Sequence, residues 1–196
     1  MNKPWLAHYP EGVPAEIHPE SFTSLGQFLE SCFQKHAANP FSVCMERWMS
    51  FAELDRDSAA MGAWLQQQGL ASDARIALML PNIPQFTVSM AGILRAGFTC
   101  VNVNPLYTAR ELEHQLKDSG ATAIVILENF AHTLAPILNR TQVQVVVVAT
   151  MGDMLGAAFG RWITFAVRHL AKMVPPFELP AANAQGKPHK LTSFRQ

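Results

Sequence analysis

Hydrophobic positions in the first part of the chain recur at helical spacing, and each such stretch opens on a recognisable start. Ser24 with Gln27, Ser50 with Glu53 and Thr108 with Glu111 each match a capping box. In that motif a hydroxyl and a side chain three residues later satisfy amides that the first turn leaves free. They predict helices over about 25–38, 51–68 and 109–119, the second stopped by Gly69 and the third by Gly120. Residues 41–49, between the first two helices, read as one or two short strands.

From Arg75 onward short β-rich apolar runs at 76–80, 98–103, 121–127 and 143–149 alternate with helical patterns at 84–96, 109–119 and 129–139. Four such runs separated by three helices predict right-handed βαβ units and a parallel sheet buried on both faces. The fold class is α/β: a doubly wound, mostly parallel sheet with flanking helices, its layer spanning about 75–149. We divide the chain into an α/β part, 1–154, and a continuation of the same domain, 155–196. In the continuation, Leu155, Phe159, Trp162, Ile163, Ala166, Leu170 and Met173 fall on one helical face over 155–174, with Arg161, Thr164, Arg168 and Lys172 opposite. Pro175 and Pro176 end this basic amphipathic helix. The remainder, with Lys187, Lys190 and Arg195, has no period and reads as loop. There is no internal repeat.

Composition changes the picture in one respect. With 49% hydrophobic and 15% charged residues in 196, the chain can bury a core, and its formal charge of zero gives no basic excess for wrapping nucleic acid. Yet residues 1–154 carry 9 basic and 14 acidic side chains, while 155–196 carry 6 and 1. The basic end calls for a partner of its own. Cys32, Cys44 and Cys100 offer neither a disulfide framework nor a Cys-x-x-Cys site, which fits a reducing cytosol. Pro4, Pro10, Pro14 and Pro19 interrupt the N-terminus, so no signal-peptide core is present. The 19 uncharged residues between Arg75 and Arg95 include Pro81, Asn82, Pro84 and Gln85, and they read as strand, turn and helix rather than as a membrane span.

Candidate chemistry is sparse. Gly92 and Gly97 have the spacing of a phosphate loop followed by Thr99, but Phe98 stands where the motif needs Lys, so helix packing and a C-terminal cap explain them better. Glu111, Glu113 and His114 offer a general base or metal ligand, against a capping role for Glu111 and a solvated helix face for the other two. His132 and His169 are isolated and read as surface or boundary residues. Asn102, Asn104 and Pro105 follow an apolar run, at the edge where open α/β sheets bind ligands, and turn formation alone also accounts for them. The amphipathic helix allows two readings. Phe159 and Trp162 with Arg161, Arg168 and Lys172 have the composition of a helix lying in a membrane interface, or the helix packs on the domain body.

The stretch from Arg75 to Ala121, containing LMLPN, GILRAG, VNVNPLYT and RELEHQL in order, resembles the adenylate-forming acyl-CoA synthetases, in particular bacterial long-chain fatty acid CoA ligases. WLAHYPEGVPAEI near the start and MGDML later also look like that subfamily, so the resemblance runs from about Trp5 to the end, by character more than motif beyond Gly156. It implies the N-terminal part of the adenylate-forming fold. It also implies a two-step reaction in which fatty acid and Mg-ATP give acyl-adenylate and pyrophosphate, and coenzyme A then displaces AMP. The family's Gly, Ser and Thr rich phosphate loop, its later adenine and metal motifs and its catalytic lysine do not occur in residues 1–196. We therefore expect an N-terminal fragment, inactive alone, with no catalytic, cofactor-binding or metal residue assigned and no cofactor of its own; Mg-ATP and coenzyme A belong to the full-length enzyme. The partners implied are a fatty acid for the whole enzyme, an anionic membrane surface and a second copy of the chain, without nucleic acid. The expected location is the cytoplasm, either free or peripheral on the inner face of its membrane. A noncatalytic membrane- or partner-binding module is the alternative; a stand-alone nucleotide-binding domain lacks the phosphate chemistry.

Overall fold

The computed structural model describes residues 3–182 and 188–194, so Lys187 and Arg195 of the tail lie outside the described residues. Helix α1 (Leu25–His36) leads into a hairpin of β1 (Pro40–Cys44) and β2 (Arg47–Ser50), which feeds directly into α2 (Phe51–Gln66). Then follow β3 (Arg75–Met79), α3 (Pro84–Arg95), β4 (Thr99–Asn102), α4 (Ala109–Ser119), β5 (Ala123–Leu127), the single turn α5 (Ala131–Leu134), β6 (Val145–Ala149), α6 (Ala157–Phe165) and β7 (Lys190–Ser193).

Strands β3 to β7 form one sheet in the order β4-β3-β5-β6-β7, every neighbouring pair parallel. Alternation along each strand divides the core. Ile76, Leu78, Val125 and Val147 pack with Leu65 of α2 and Ile93 of α3; Ala77, Met79, Ile124, Ile126 and Val146 pack with Leu112 and Leu116 of α4 and Leu134 of α5. Both faces of the central strands are thus covered, which is why they read as unbroken apolar runs. Helices α2 and α3 cross closely because each presents a glycine to the other: a Cβ on Gly92 would stand 2.9 Å from the Ser58 carbonyl and the Met61 side chain, and one on Gly62 2.9 Å from the Gly92 carbonyl. Among the described residues no helix is long and apolar enough to cross a membrane.

Four predictions need correction. The first start is only half a capping box: Ser24 Oγ accepts from the Gln27 amide, but the Gln27 side chain turns to the amide and hydroxyl of Thr23. The helical pattern at 129–139 becomes a 3₁₀ turn (Glu128–Phe130), α5, and a second 3₁₀ turn (Leu138–Arg140), because Pro136 cannot donate and its ring clashes with the preceding turn. The helix predicted over 155–174 starts at Ala157 on the left-handed Gly156 and gives way after Phe165 to a wide π turn (Ala166–Leu170). Lys172, at φ 51°, stops it before the prolines are reached. The aperiodic tail supplies a strand, β7, because main-chain pairing with β6 needs no side-chain period.

Candidate functional site

In a sheet of this order the winding reverses between β3 and β5, and the carboxyl ends of the strands beside that point form the crevice where such folds take ligands. Glu128 follows β5 directly. It is 2% exposed, and one carboxylate oxygen, Oε2, accepts from Arg168 Nε at 2.8 Å and Nη2 at 2.7 Å, while Oε1 has no hydrogen-bond partner among the described residues. The next residue, Asn129, donates to the Met173 carbonyl at 3.0 Å. After β6, Thr150 is capped by both oxygens of Asp153, its hydroxyl lies 3.1 Å from that of Thr164, and its carbonyl accepts from the buried Gln85 of α3 at 2.7 Å. Gly152 and Gly160 bring their backbones into direct contact, leaving no room for a Cβ on either.

These ties hold α6 and its π turn on the sheet edge by a narrow polar side. The predicted apolar face is divided as a result. Leu155 is buried, Ile163 and Ala166 are half-buried, and Phe159 (46%), Trp162 (55%), Leu170 (62%) and Met173 (61%) are exposed, joined by Phe165 (48%). The Trp162 and Phe165 rings stack at 5.9 Å, and Phe165 lies 5.0 Å from the ring of His169. Arg161, Arg168 and Lys172 are all exposed, and Arg168 also binds the buried Glu128 carboxylate. A cleft of about 350 Å³ beside the helix is lined by Thr150, Asp153, Arg161, Thr164, Phe165, Arg168 and His169. On the other face, a mostly apolar cleft of about 280 Å³ opens where α2 and α3 stop short of covering β6 and β7, lined by Met61, Trp64, Val88, Val147, Met154 and Phe194, among others.

The remaining sequence candidates are not brought together. Asn104 accepts from the Leu106 amide at 3.0 Å in a local turn, and the Asn102 carbonyl accepts from Gln115. Glu111 completes the cap of α4, and its hydrogen bonds from the Thr108 backbone and hydroxyl lower its pKa. Glu113 bridges Lys117 and Arg140, chiefly the Lys117 contact holding its pKa down, while His114 sits apart on an exposed face. His132 contacts the Asn129 carbonyl. Burial pushes the Cys100 thiol up to about 11, away from thiolate chemistry. Among the described residues no cluster of three or more His, Cys, Asp or Glu could hold a metal. A nucleotide triphosphate does not fit what is present: Gly92 is closed by Met61 and Ser58, Gly97 follows a helix instead of preceding one, and α3 begins with Pro84 and an uncapped Ile83.

Among the described residues, Glu128 and His189 are two of the four buried polar residues that escaped the sequence reading, with Ser58 and Ser89. An acid directly after the apolar run 121–127 was the available signal for Glu128. Nothing local marked His189, 8% exposed with Nε2 3.2 Å from Asn139 Oδ1.

Comparison with known proteins follows the same lines. Residues 29–188 match the family model described as AMP-binding enzyme. The chain is 49% identical over 183 residues to a long-chain-fatty-acid–CoA ligase of Salmonella typhimurium, covering 93% of this chain and 33% of that protein. It is 38% identical to the ligase of the same description from Haemophilus influenzae, covering 100% of this chain and 35% of that one. The chain thus spans about a third of the length of the curated relatives it matches. Among solved structures, a long-chain-fatty-acid-CoA ligase from Archaeoglobus fulgidus aligns with a TM-score of 0.62 at 21% identity over 90% of this chain and 35% of its own. The anthranilate CoA ligase AuaEII aligns at 0.64 and 20% identity over 75% and 28%. At these identities the structural matches establish the fold.

Proposed function

Because the chain belongs to the AMP-binding enzyme family, we propose that it is the N-terminal part of a long-chain fatty acid CoA ligase, an enzyme that joins fatty acid and coenzyme A at the expense of ATP. The observation that carries this reading is 49% identity to a ligase of that description over 93% of the chain. Two partial reactions make up the activity: carboxylate attack on the α-phosphate of Mg-ATP releases pyrophosphate, and the coenzyme A thiolate then displaces AMP from the acyl-adenylate. Stabilising the charge that develops on the phosphates requires preorganised cations and amide donors. Residues 1–196 contribute instead a parallel α/β layer, whose strand ends form one wall for that machinery.

The chain alone is therefore catalytically inactive. Incubated with radiolabelled palmitate, Mg-ATP and coenzyme A, it is expected to yield no acyl-CoA above a protein-free blank; product above blank would sink this reading.

A second reading is favoured by a specific observation, the outward turn of the aromatic residues of α6. Segment 155–174 meets an anionic membrane surface, placing the enzyme on the inner face of the cytoplasmic membrane, where a lipid-soluble substrate partitions. All five residues put forward for that contact, Phe159, Arg161, Trp162, Arg168 and Lys172, are exposed, Arg168 with its guanidinium also bound to Glu128. Flotation with vesicles containing phosphatidylglycerol tests it; a chain that stays with the unbound protein removes it.

A further inference from the structure

An ordinary amphipathic helix is held by its apolar stripe and shows its polar side to water. Helix α6 with its π turn presents only small or partly buried residues inward, Gly160, Ile163, Thr164, Ala166 and Val167, and polar ties supplement that contact. Its inner side is fastened by the Gly152–Gly160 backbone contact, by the Thr164–Thr150 hydroxyl pair and by Arg168 on buried Glu128, with Asn129 gripping the Met173 carbonyl where the segment ends. Its outer side carries Phe159, Trp162, Phe165 and Leu170, and Met173 lies just beyond it, each 46–62% exposed. Rolling the helix to bury them would lift Gly160 from Gly152 and strip the Glu128 carboxylate of its counter-charge, which at 2% exposure is costly.

Resting on the membrane reading above, we propose that Glu128 is the positioning residue of a preformed lipid-facing surface. Phe165, Leu170 and Met173 join Phe159 and Trp162 as the residues that enter the headgroup boundary, and Arg168, 46% exposed, ties that surface to buried Glu128. Charge complementarity selects the occupant. Residues 154–177 contain no Asp or Glu, and exposed Arg161 and Lys172 rim the aromatic patch, so the surface suits anionic phosphates above an acyl layer. Holding the patch rigid before contact removes an ordering cost from binding.

The decisive variant is Glu128→Gln. It keeps the size of the side chain and removes its charge, so the hold on half-exposed Arg168 weakens, and among the described residues Oε1 has no hydrogen bond to lose. Two readouts are taken on the full chain: amide exchange across 157–170, and sedimentation with vesicles of phosphatidylcholine alone or with phosphatidylglycerol. The wild-type chain is expected to bind the anionic vesicles and not the neutral ones. Glu128→Gln is expected to speed exchange across 157–170, leave β3 and β5 protected, and weaken anionic binding about five-fold, less than the roughly ten-fold expected from removing two apolar side chains from the lipid-facing surface in Phe165→Ala/Leu170→Ala. That double variant should leave exchange across 157–164 unchanged.

If Glu128→Gln matches wild type in both exchange and binding, Glu128 does not position the surface. If Phe165→Ala/Leu170→Ala abolishes self-association in analytical ultracentrifugation but binds vesicles as wild type does, the occupant is a second copy and the lipid assignment falls. Should the wild-type chain bind no vesicle, the underlying membrane reading fails, and exchange in Glu128→Gln still decides whether the anchor exists.

Discussion

His189 shows how one buried side chain ties the last strand to the body. Its backbone amide donates to the Ala181 carbonyl at 2.8 Å, and its ring contacts Asn139. Burial lowers its pKa from the ordinary 6.5, a hydrogen bond with the Val143 backbone partly opposing that shift. The folded chain therefore takes up this proton at lower pH than the unfolded chain. Stability from His189 is complete above about pH 6.5 and is lost as pH falls from there through the depressed folded value. Carboxylates such as Glu53, Glu111 and Glu113, whose pKa values lie below 4.5 in the fold, contribute in a separate and more acidic window. The urea midpoint of the wild-type chain should fall between pH 7.5 and 5.5. In His189→Gln, which can still meet Asn139 but cannot titrate, that fall should shrink; an equal fall in both proteins would assign it to other groups.

At the scale of elements, local chemistry decides where helices start, and tertiary contacts decide which way they face. Ser50 accepts from the Glu53 amide at 3.2 Å, and the Glu53 carboxylate returns a bond to the Ser50 amide at 2.9 Å, so the cap of α2 is complete within four residues and readable from them. Ser50→Ala should cost about 1 kcal/mol in a urea titration, with Ser50→Thr nearly neutral; an unchanged midpoint in Ser50→Ala would show that packing of α2 on α3 alone sets its start. Gly120, left-handed at φ 64°, ends α4 where its position predicted, and the four apolar runs became β3 to β6. What stayed hidden depends on residues far apart in the chain. Arg168 and Glu128 are separated by 40 positions, and a hydrophobic period locates an apolar stripe without saying that two glycines will hold the helix by its other side. The strand β7 was invisible for a related reason: its pairing partner is main chain, and its sequence, Lys190 to Ser193, carries no alternation to detect.

Across the whole molecule, cover is uneven, and stability should follow it. Strands β3 and β5 have a neighbour on each side and apolar cover on both faces, from α2 and α3 above and α4 and α5 below. Beyond them α2 and α3 run out, the cleft of about 280 Å³ opens over β6 and β7, and β7 is an edge strand of four residues with Leu191 at 41% exposure. Opening β7 breaks one ladder and exposes little apolar area, whereas opening β5 breaks two and uncovers both clusters. Amide exchange on the isolated chain should therefore be slowest in Ile76–Met79 and Ile124–Leu127, intermediate in β6, and fast in β7. The same order bears on the proposed ligase: a weakly held fifth strand beside an apolar cleft is where further chain would add cover, so adding the missing cover should slow β7 first. Uniformly fast exchange through β3 and β5 would show that these residues form no stable layer by themselves, and uniformly slow exchange including β7 would show that the cleft leaves no weak edge.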